Sequence, residues 1–259
     1  MKADQQLISG GGSVPALRRA VQILDLLAQG KSLHAADITR AMGLPKSTAH
    51  GLLAVMTELK LISKAEDGTF GIGQHPLLWA NAFLSQLDIV ATFQDYLGQH
   101  HDLDAYTVTL TVRDDAEVVY IGCRNSSQPL GYSFRIGMRL PAPFTATGKI
   151  LLAALSPDDL KNLFPCFPKP LTARSVTSLA ALEQELASTR ARGFSIDDGQ
   201  IREGMVCIGA AIRDHSGAAV AGIAISLTIS EAREDRIVTL GQLLQQAADA
   251  LSGRLGASL

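Results

Sequence analysis

The sequence predicts an α+β protein with two domains: a small helical domain that ends in a β-hairpin, and a larger domain in which helices flank an antiparallel sheet. Two observations lead to this fold class. Residues 17–60 contain three segments with the 3.6-residue apolar period of amphipathic helices. Residues 106–227 contain apolar stretches of strand length, joined by polar turns and interrupted by helical segments.

The helical domain begins with a helix from about residue 17 to residue 30. We expect it to bury one apolar face, formed by Leu17, Ala20, Val21, Leu24, Leu27 and Ala28. A second helix covers residues 35–42, and Gly43 then permits the positive φ of a tight turn. A third helix follows Pro45 and extends to about residue 60, with an inward face formed by Ala49, Leu52, Leu53 and Met56.

A short helix, a glycine turn and a second helix with a small residue at the crossing are typical of a helix-turn-helix motif. Residues 61–64 and 69–72 then alternate in hydrophobicity around Glu66-Asp67-Gly68, which predicts a hairpin where a wing would lie. Polar side chains at the start of the third helix can reach phosphates and base edges when that helix enters a major groove. A helical trio without a DNA-binding role remains the alternative.

The larger domain is predicted from strand-length and helix-length segments taken in order. The strands are expected at residues 106–112, 117–123, 132–135, 206–212 and 218–227. The helices are expected at residues 145–155, 179–192 and 236–251. A further helical segment at residues 75–99 joins the two domains.

Composition and charge are consistent with this arrangement. Of the 259 residues, 47% are hydrophobic and 19% are charged, as in a globular protein with a sizeable core. Residues 1–64 carry eight Lys and Arg against four Asp and Glu, and the rest carries fifteen against twenty-one. A basic segment on an acidic protein is expected where only that segment contacts phosphates, although many enzymes share such an imbalance.

The same composition bears on compartment and partners. No apolar run approaches the roughly 20 residues of a membrane-spanning helix, and residues 1–12 contain no apolar segment of signal-peptide length. The three cysteines fit neither a disulfide framework nor a zinc spacing. We therefore expect a cytoplasmic protein with no metal, no cofactor and no membrane partner.

Several motifs occur in one order along nearly the whole chain. They are LRRAVQIL at residues 17–24, GLPKSTAH at 43–50, TATGK at 145–149 with LLA at 151–153, GFSIDD at 193–198, GMVCI at 204–208 and AIS at 224–226. The chain thereby resembles the IclR family of bacterial transcription regulators. The resemblance implies a winged helix-turn-helix at residues 14–74, a linker helix at 75–99 and a GAF-like effector-binding domain at 100–259. It also implies a homodimer or homotetramer acting on operator double-stranded DNA.

The expected DNA-binding residues are Arg18, Arg19, Pro45, Lys46, Ser47, Thr48, His50 and Lys64. Residue 51 departs from the family, which usually carries Arg there, because it is Gly in this chain. The loss of that side chain removes one expected DNA contact.

The expected effector-binding residues come from the family's pocket positions, with one aromatic neighbour that would narrow the pocket. They are Tyr132, Phe134, Ala146, Thr147, Asp197, Met205, Cys207, Ala224 and Ser226. Apolar walls with a few polar groups suit a small oxygenated molecule, such as a short acid, a semialdehyde or a phenolic compound. Ordinary core packing is the alternative role for each of these residues.

No catalytic residue is predicted. Thr147-Gly148-Lys149 resembles half of a phosphate-binding loop, but Pro143 stands where that loop needs Gly and Ile150 where it needs Ser or Thr. The chain also lacks a Gly-x-Ser-x-Gly elbow and a His-Glu-x-x-His pair. We therefore predict a transcriptional regulator that is controlled by a small molecule. We expect repression with release by the effector, although activation fits the sequence equally well. The alternatives are an enzyme or sensor with a winged helix that does not bind DNA, or a module that binds protein.

Overall fold

The computed structural model describes residues 14–30, 32–85, 88–126 and 132–257. Residues 1–13, which include the segment examined for a signal peptide, lie outside the described residues. The chain divides into two compact units, Met1–Phe83 and Leu84–Leu259, and each is described by itself.

The first unit contains the predicted three helices and hairpin. Its elements are α1 (Pro15–Ala28), β1 (Leu33–His34), α2 (Ala35–Met42), α3 (Lys46–Glu58), β2 (Ile62–Lys64), β3 (Thr69–Ile72) and α4 (His75–Ser85). The helix α2 ends at Gly43, whose φ of 59° is left-handed as the turn requires. The strands β2 and β3 form the expected antiparallel hairpin, and the unpredicted two-residue strand β1 pairs with β3 on its other side.

The buried face of α1 differs from the predicted one. Ile23 and Leu27 are the buried residues of this helix, and they pack with α2, α3 and the hairpin. Leu17 and Val21, which were expected to be buried, are 64% and 48% exposed. The prediction was right for Leu27, Ala20 and Leu24, which contact this core, and wrong for Leu17, Val21 and Ala28, which are exposed. The apolar residues of α1 form one wide stripe, and only the edge that contains Ile23 meets the core of this unit.

The predicted linker helix at residues 75–99 falls on two helical segments, α4 and α5 (Asp88–Gln99). Residues 86 and 87 between them lie outside the described residues. The boundary between the two compact units falls near the end of α4, between Phe83 and Leu84.

The second unit continues with an antiparallel sheet and its helices. Its further elements are β4 (Thr107–Asp114), β5 (Glu117–Arg124), β6 (Arg139–Pro141), α6 (Ala146–Leu152), α7 (Pro157–Leu163), α8 (Leu179–Arg192), β7 (Ser195–Asp198), β8 (Met205–Arg213), β9 (Ala219–Thr228) and α9 (Glu234–Arg254). Within the described residues, six strands pair in the order β6-β5-β4-β9-β8-β7. Every neighbouring pair is antiparallel, as expected.

The two faces of this sheet have different chemistry because side chains alternate along a strand. On β4, Val108 and Leu110 face the apolar layer that contains residues of α5 and α9. Thr109 of the same strand lines a pocket that also contains residues of α6. One face of the sheet therefore forms the main core, while the other carries polar side chains beside α6.

The strand predicted at residues 132–135 is absent from the described structure, and this prediction was wrong. The nearest strand is β6, which begins at Arg139. The backbone there bonds to side chains instead of to a neighbouring strand. The carbonyl oxygen of Tyr132 accepts from Thr107 Oγ1 at 2.6 Å, and the Phe134 N–H donates to Asn125 Oδ1 at 3.1 Å.

Candidate functional site

The first candidate site is the exposed start of α3. Pro45 occupies the N-cap position, and the side chains of Lys46, Ser47 and His50 are exposed to solvent. The intervening Ala49 is 1% exposed and packs inward. Together with the buried Leu53 and Met56, it packs the helix on its neighbours and leaves the polar side chains of the first turns on the outer side.

The hairpin tip beside α3 is held by local hydrogen bonds. Asp67 Oδ1 accepts from Thr69 Oγ1 at 2.6 Å and from the Thr69 N–H at 2.9 Å. These bonds hold the pKa of the Asp67 carboxyl below its usual value. Gly68 has a φ of 82°, which side chains other than that of Gly rarely adopt. The wing therefore has a defined shape although it is exposed.

A groove between α3 and the hairpin brings two of the predicted DNA-binding residues together. Its volume is about 350 Å³, and His50 of α3 and Lys64 of β2 both line it. Lys64 Nζ lies over the Phe70 ring, 5.7 Å from the ring centroid. Arg18 and Arg19 lie on α1, apart from the described lining of this groove.

Gly51 lies next to this groove in the exposed face of α3. A Cβ atom added at Gly51 would meet no described atom within 4 Å. The Gly is therefore not required by packing or by backbone conformation, and its effect is to leave a gap in the row of polar side chains.

The second candidate site is a pocket between the sheet and α6. Eight of the nine predicted effector-binding residues line it, namely Phe134, Ala146, Thr147, Asp197, Met205, Cys207, Ala224 and Ser226. The ninth, Tyr132, packs against its apolar part, and its Oη donates to the carbonyl oxygen of Gly204 at 2.9 Å. Four lining residues were not predicted: Thr109, Tyr120, Thr145 and Ile201.

The pocket is closed in this structure. Its free volume is about 10 Å³, close to the space of one water molecule. Most of the wall belongs to strands and to α6, whereas Phe134 and Ile201 lie on irregular segments. The Phe134 ring stacks on Tyr120, with the ring centroids 5.1 Å apart. A ligand larger than water therefore requires these irregular segments to move outward.

The polar groups of the pocket are predominantly uncharged at neutral pH. Cys207 Sγ and Ser226 Oγ lie 3.3 Å apart within hydrogen-bonding distance. Burial raises the pKa of the Cys207 thiol, so the thiolate does not form near neutral pH. Burial also raises the pKa of the Tyr120 phenol and that of the Asp197 carboxyl, the latter to about 7.

A buried polar network supports the wall that contains Asp197. Lys149 of α6 is 1% exposed, pairs with Glu185 of α8 and donates from Nζ to the carbonyl oxygen of Ile196 at 3.0 Å. Gln200 Nε2 donates to Glu185 Oε1 at 2.8 Å. The network ties α6, α8 and the end of β7 together, so the position of the Asp197 carboxyl is set by three elements.

Two family descriptions match the chain and cover both sites. "IclR helix-turn-helix domain" matches residues 16–66, and "Bacterial transcriptional regulator IclR C-terminal" matches residues 81–253. The first match contains α3 and the hairpin, and the second contains the pocket and the sheet. The chain belongs to the IclR family of bacterial transcriptional regulators.

Individual relatives of this IclR-family regulator agree with that assignment. The HTH-type transcriptional regulator XynR of Escherichia coli is 31% identical over 94% of this chain and 98% of its own length. The crystal structure of the Agrobacterium tumefaciens repressor BlcR is 66% identical, covers 96% of this chain and 100% of BlcR, and has a TM-score of 0.65. An IclR homologue from Microbacterium hydrocarbonoxydans, complexed with 4-hydroxybenzoate, shares the fold. It is 23% identical, covers 94% of this chain and 100% of its own, and has a TM-score of 0.79.

Membership of the IclR family confirms the predicted family and fold class. No helix in the described part of the chain is long and apolar enough to span a membrane. Within the same residues, no group of three or more His, Cys, Asp or Glu side chains is placed to hold a metal ion.

A signal for one unpredicted pocket residue was present in the sequence. Thr107, Thr109 and Thr111 alternate with apolar residues along β4, and all three are buried. Three polar residues on one face of a central strand indicate that this face meets something other than a plain apolar core. Ile201 lies on an irregular segment between β7 and β8, where no periodic pattern points to the pocket.

Proposed function

We propose that this IclR-family protein is a repressor that binds operator DNA through α3 and the β2–β3 hairpin. The observation that carries the proposal is the groove that His50 and Lys64 share at the exposed start of α3. A recognition helix that presents its first turns to the major groove reads base edges there, and the wing contacts the neighbouring phosphates. The basic charge of residues 1–64 supports the same assignment.

Within this proposal, each predicted DNA-binding residue has a role. Lys46, Ser47, Thr48 and Lys64 contact phosphates, Pro45 sets the start of α3, and Arg18 and Arg19 approach the DNA backbone from α1. His50 contacts a base edge, since an imidazole can donate to or accept from the groove. We assign residues 14–74 to DNA binding, 75–99 to the linker and 100–259 to effector binding.

Site preference tests the role of His50. Wild type, His50→Ala and the control His215→Ala, an exposed histidine of the other unit, are compared on a panel of single-base variants of the upstream DNA of the protein's own gene. We expect His50→Ala to lose about 1–3 kcal/mol of discrimination at one position of the site. The control should keep the wild-type preference. An unchanged preference in His50→Ala would remove His50 from base recognition.

We further propose that the pocket binds its small molecule without converting it. The buried Cys207 stays a thiol because burial raises its pKa, which makes it a poor nucleophile. Occupation of the pocket changes operator affinity because the ligand favours one conformation of the protein over another. Calorimetry with short acids, aldehydes and phenols tests this proposal. Turnover of any of these compounds by the protein would instead favour the alternative that it is an enzyme.

The protein is proposed to act as a homo-oligomer in the cytoplasm. The outer face of α1 carries an apolar stripe, in which Val14, Leu17 and Val21 are 58%, 64% and 48% exposed. Such a stripe fits a second copy of itself, which would place two α3 helices on the two halves of a pseudo-palindromic site. Its three free cysteines suit a reducing compartment.

A further inference from the structure

The part of the pocket wall that can move is the part outside regular secondary structure. Strands and α6 supply most of the wall, and each strand is hydrogen-bonded to its neighbours. Phe134 and Ile201 lie on two irregular segments, residues 132–136 and 199–204, which we call the entrance segments. Because the closed pocket has a free volume of about 10 Å³, a small molecule can enter it when these two segments separate.

The first entrance segment is attached to the sheet by side chains. Thr107 Oγ1 of β4 donates to the carbonyl oxygen of Tyr132 at 2.6 Å, and Asn125 Oδ1 accepts from the Phe134 N–H at 3.1 Å. Among the described residues, no hydrogen bond between two backbone groups attaches residues 132–134 to a strand. A segment held by a few side-chain bonds opens more readily than a strand that is bonded along its length.

The two entrance segments are joined to each other by Tyr132. Its Oη donates to the carbonyl oxygen of Gly204 at 2.9 Å, across 72 positions of the sequence. The Arg202 guanidinium lies over the same ring, 5.5 Å from the ring centroid, which is a cation–π distance. Because Tyr132 is half-buried and Arg202 is exposed, these two contacts lie on the solvent side of the pocket. They hold its two movable walls together.

A second tyrosine of the same unit makes the same contacts in a different setting. Tyr106 Oη accepts from Arg236 at 2.8 Å, and the Arg236 guanidinium lies 5.9 Å from the centroid of the Tyr106 ring. This pair joins the residue before β4 to α9, and Tyr106 belongs to the main apolar core. The contact between Tyr106 and Arg236 therefore joins elements that are already fixed, whereas the contacts of Tyr132 join two irregular segments.

We propose that Tyr132, through its bond to Gly204 and its contact with Arg202, is a latch that controls the access of small molecules to the pocket. The inference rests on the proposed binding function of the pocket and adds how entry to it is controlled. The latch is closed in this structure, and its release lets the two entrance segments separate. Tyr132 is a positioning residue here, because it acts on the two segments and not on the ligand.

The reactivity of Cys207 measures the opening of the latch. Its thiol lines the pocket and is buried, whereas Cys166 is exposed. Iodoacetamide therefore reaches Cys207 in those molecules whose pocket is open, and the alkylation rate reports their fraction. The full chain is treated at pH 8 without effector or DNA, and each cysteine is followed by mass spectrometry after digestion. Cys166 gives the rate of an accessible thiol in the same sample.

The decisive variant is Tyr132→Phe, which keeps the ring and removes the hydrogen bond to Gly204. The net stabilisation from one neutral hydrogen bond corresponds to about fivefold in an equilibrium constant, so Cys207 should be alkylated about fivefold faster. Arg202→Gln removes the cation over the ring and should raise the rate about twofold. An unchanged rate in Arg202→Gln would remove Arg202 from the latch.

The matched control is Tyr106→Phe, which loses the corresponding hydrogen bond from Arg236. It should leave the alkylation rate of Cys207 at the wild-type value, because it does not touch the entrance segments. Cys166 should react at one rate in wild type and in every variant.

Urea separates a local opening from unfolding of the whole domain. A local opening exposes little surface, so the Cys207 rate in wild type and in Tyr132→Phe should depend little on urea at low concentration. Three results would overturn the proposal: a wild-type Cys207 rate in Tyr132→Phe, an equal acceleration in Tyr106→Phe, or a rate that rises with urea as steeply as global unfolding does. Because these rates require neither effector nor DNA, a failure of effector or operator binding would refute the proposed function and leave the latch result valid.

Discussion

The helices α3 and α6 have similar composition and opposite surroundings. Each carries a glycine and a lysine in its first turns, Gly51 and Lys46 in α3, and Gly148 and Lys149 in α6. In α3 both positions are exposed to solvent. In α6 all seven residues are buried, including the lysine. One helix is a surface that can meet a macromolecule, and the other is a wall of a closed pocket.

Because of this difference in burial, substitutions in the two helices should affect folding and binding differently. An exposed side chain on α3, unlike the buried Ala49, Leu53 and Met56, can be altered with little effect on folding, so changes there test the proposed DNA contacts alone. A side chain on α6 is fixed by neighbours on several strands and on α8, so changes there report on the fold and the pocket together. Matched substitutions in the two helices therefore separate the two functions.

The largest effect is expected for Gly148→Ala. The added Cβ would lie 2.1 Å from the carbonyl oxygen of Ala142 and 2.5 Å from Thr145 Oγ1, so the backbone must move. We expect a loss of about 3 kcal/mol in the free energy of unfolding of the effector domain, measured by urea denaturation. A variant as stable as wild type would show that α6 can shift relative to the sheet. It would contradict the conclusion that α6 is fixed by its neighbours.

A smaller loss is expected for Lys149→Met. The substitution keeps the apolar stem but leaves Glu185 without its buried partner. Because the Glu185 side chain is 36% exposed, we expect a cost of about 2 kcal/mol, below that for a fully buried pair. The control is Lys46→Met at the exposed start of α3, which should change folding by less than about 0.5 kcal/mol. Equal losses in the free energy of unfolding of Lys149→Met and Lys46→Met would contradict the claim that the lysine of α6 is structural and that of α3 is not.

A gain in stability is expected for Gly51→Ala. Its Cβ meets no described atom within 4 Å, and alanine is favoured over glycine inside a helix by about 1 kcal/mol. The melting temperature of the N-terminal domain, measured by thermal unfolding, should therefore rise. A lower melting temperature would indicate that the fold requires glycine at residue 51.

The smallest effect on folding is expected for Leu17→Ser on the exposed stripe of α1. Because Leu17 is 64% exposed, the substitution should cost less than about 0.5 kcal/mol in the isolated chain. If the stripe is the contact with a second copy, the variant should dissociate at a higher protein concentration than wild type, as measured by analytical ultracentrifugation. Ile23→Ala is the contrasting variant, since Ile23 is fully buried and its loss should unfold the domain more readily.

The local parts of the fold could be predicted from the sequence. The bounds of α2 and the hairpin follow from apolar period, Gly43 and Gly68, each of which acts within a few residues. The inward face of α1 could be predicted by period only in part, because its apolar residues form one wide stripe and the sequence does not say which edge of that stripe meets α2. The two-residue strand β1 is too short to carry a pattern.

The pocket could be located only through the family resemblance, because its walls come from distant parts of the chain. Thr109, Phe134, Asp197 and Ser226 lie on separate segments that only the sheet order brings together. The segment at residues 132–135 has apolar alternation, and its backbone nevertheless bonds to the side chains of Thr107 and Asn125. Such bonds depend on tertiary structure and leave no local signal.

The proposed DNA-binding surface at the start of α3 is tested by a salt titration of binding to the DNA upstream of the protein's own gene. Wild type should lose affinity steeply with salt, because phosphate contacts release counterions. Lys46→Ala should show a log–log slope that is shallower by about one, whereas the exposed Lys169→Ala in the other unit should keep the wild-type slope. Wild-type binding that does not depend on salt, or an unchanged slope in Lys46→Ala, would contradict the claim that the start of α3 is the DNA-binding surface.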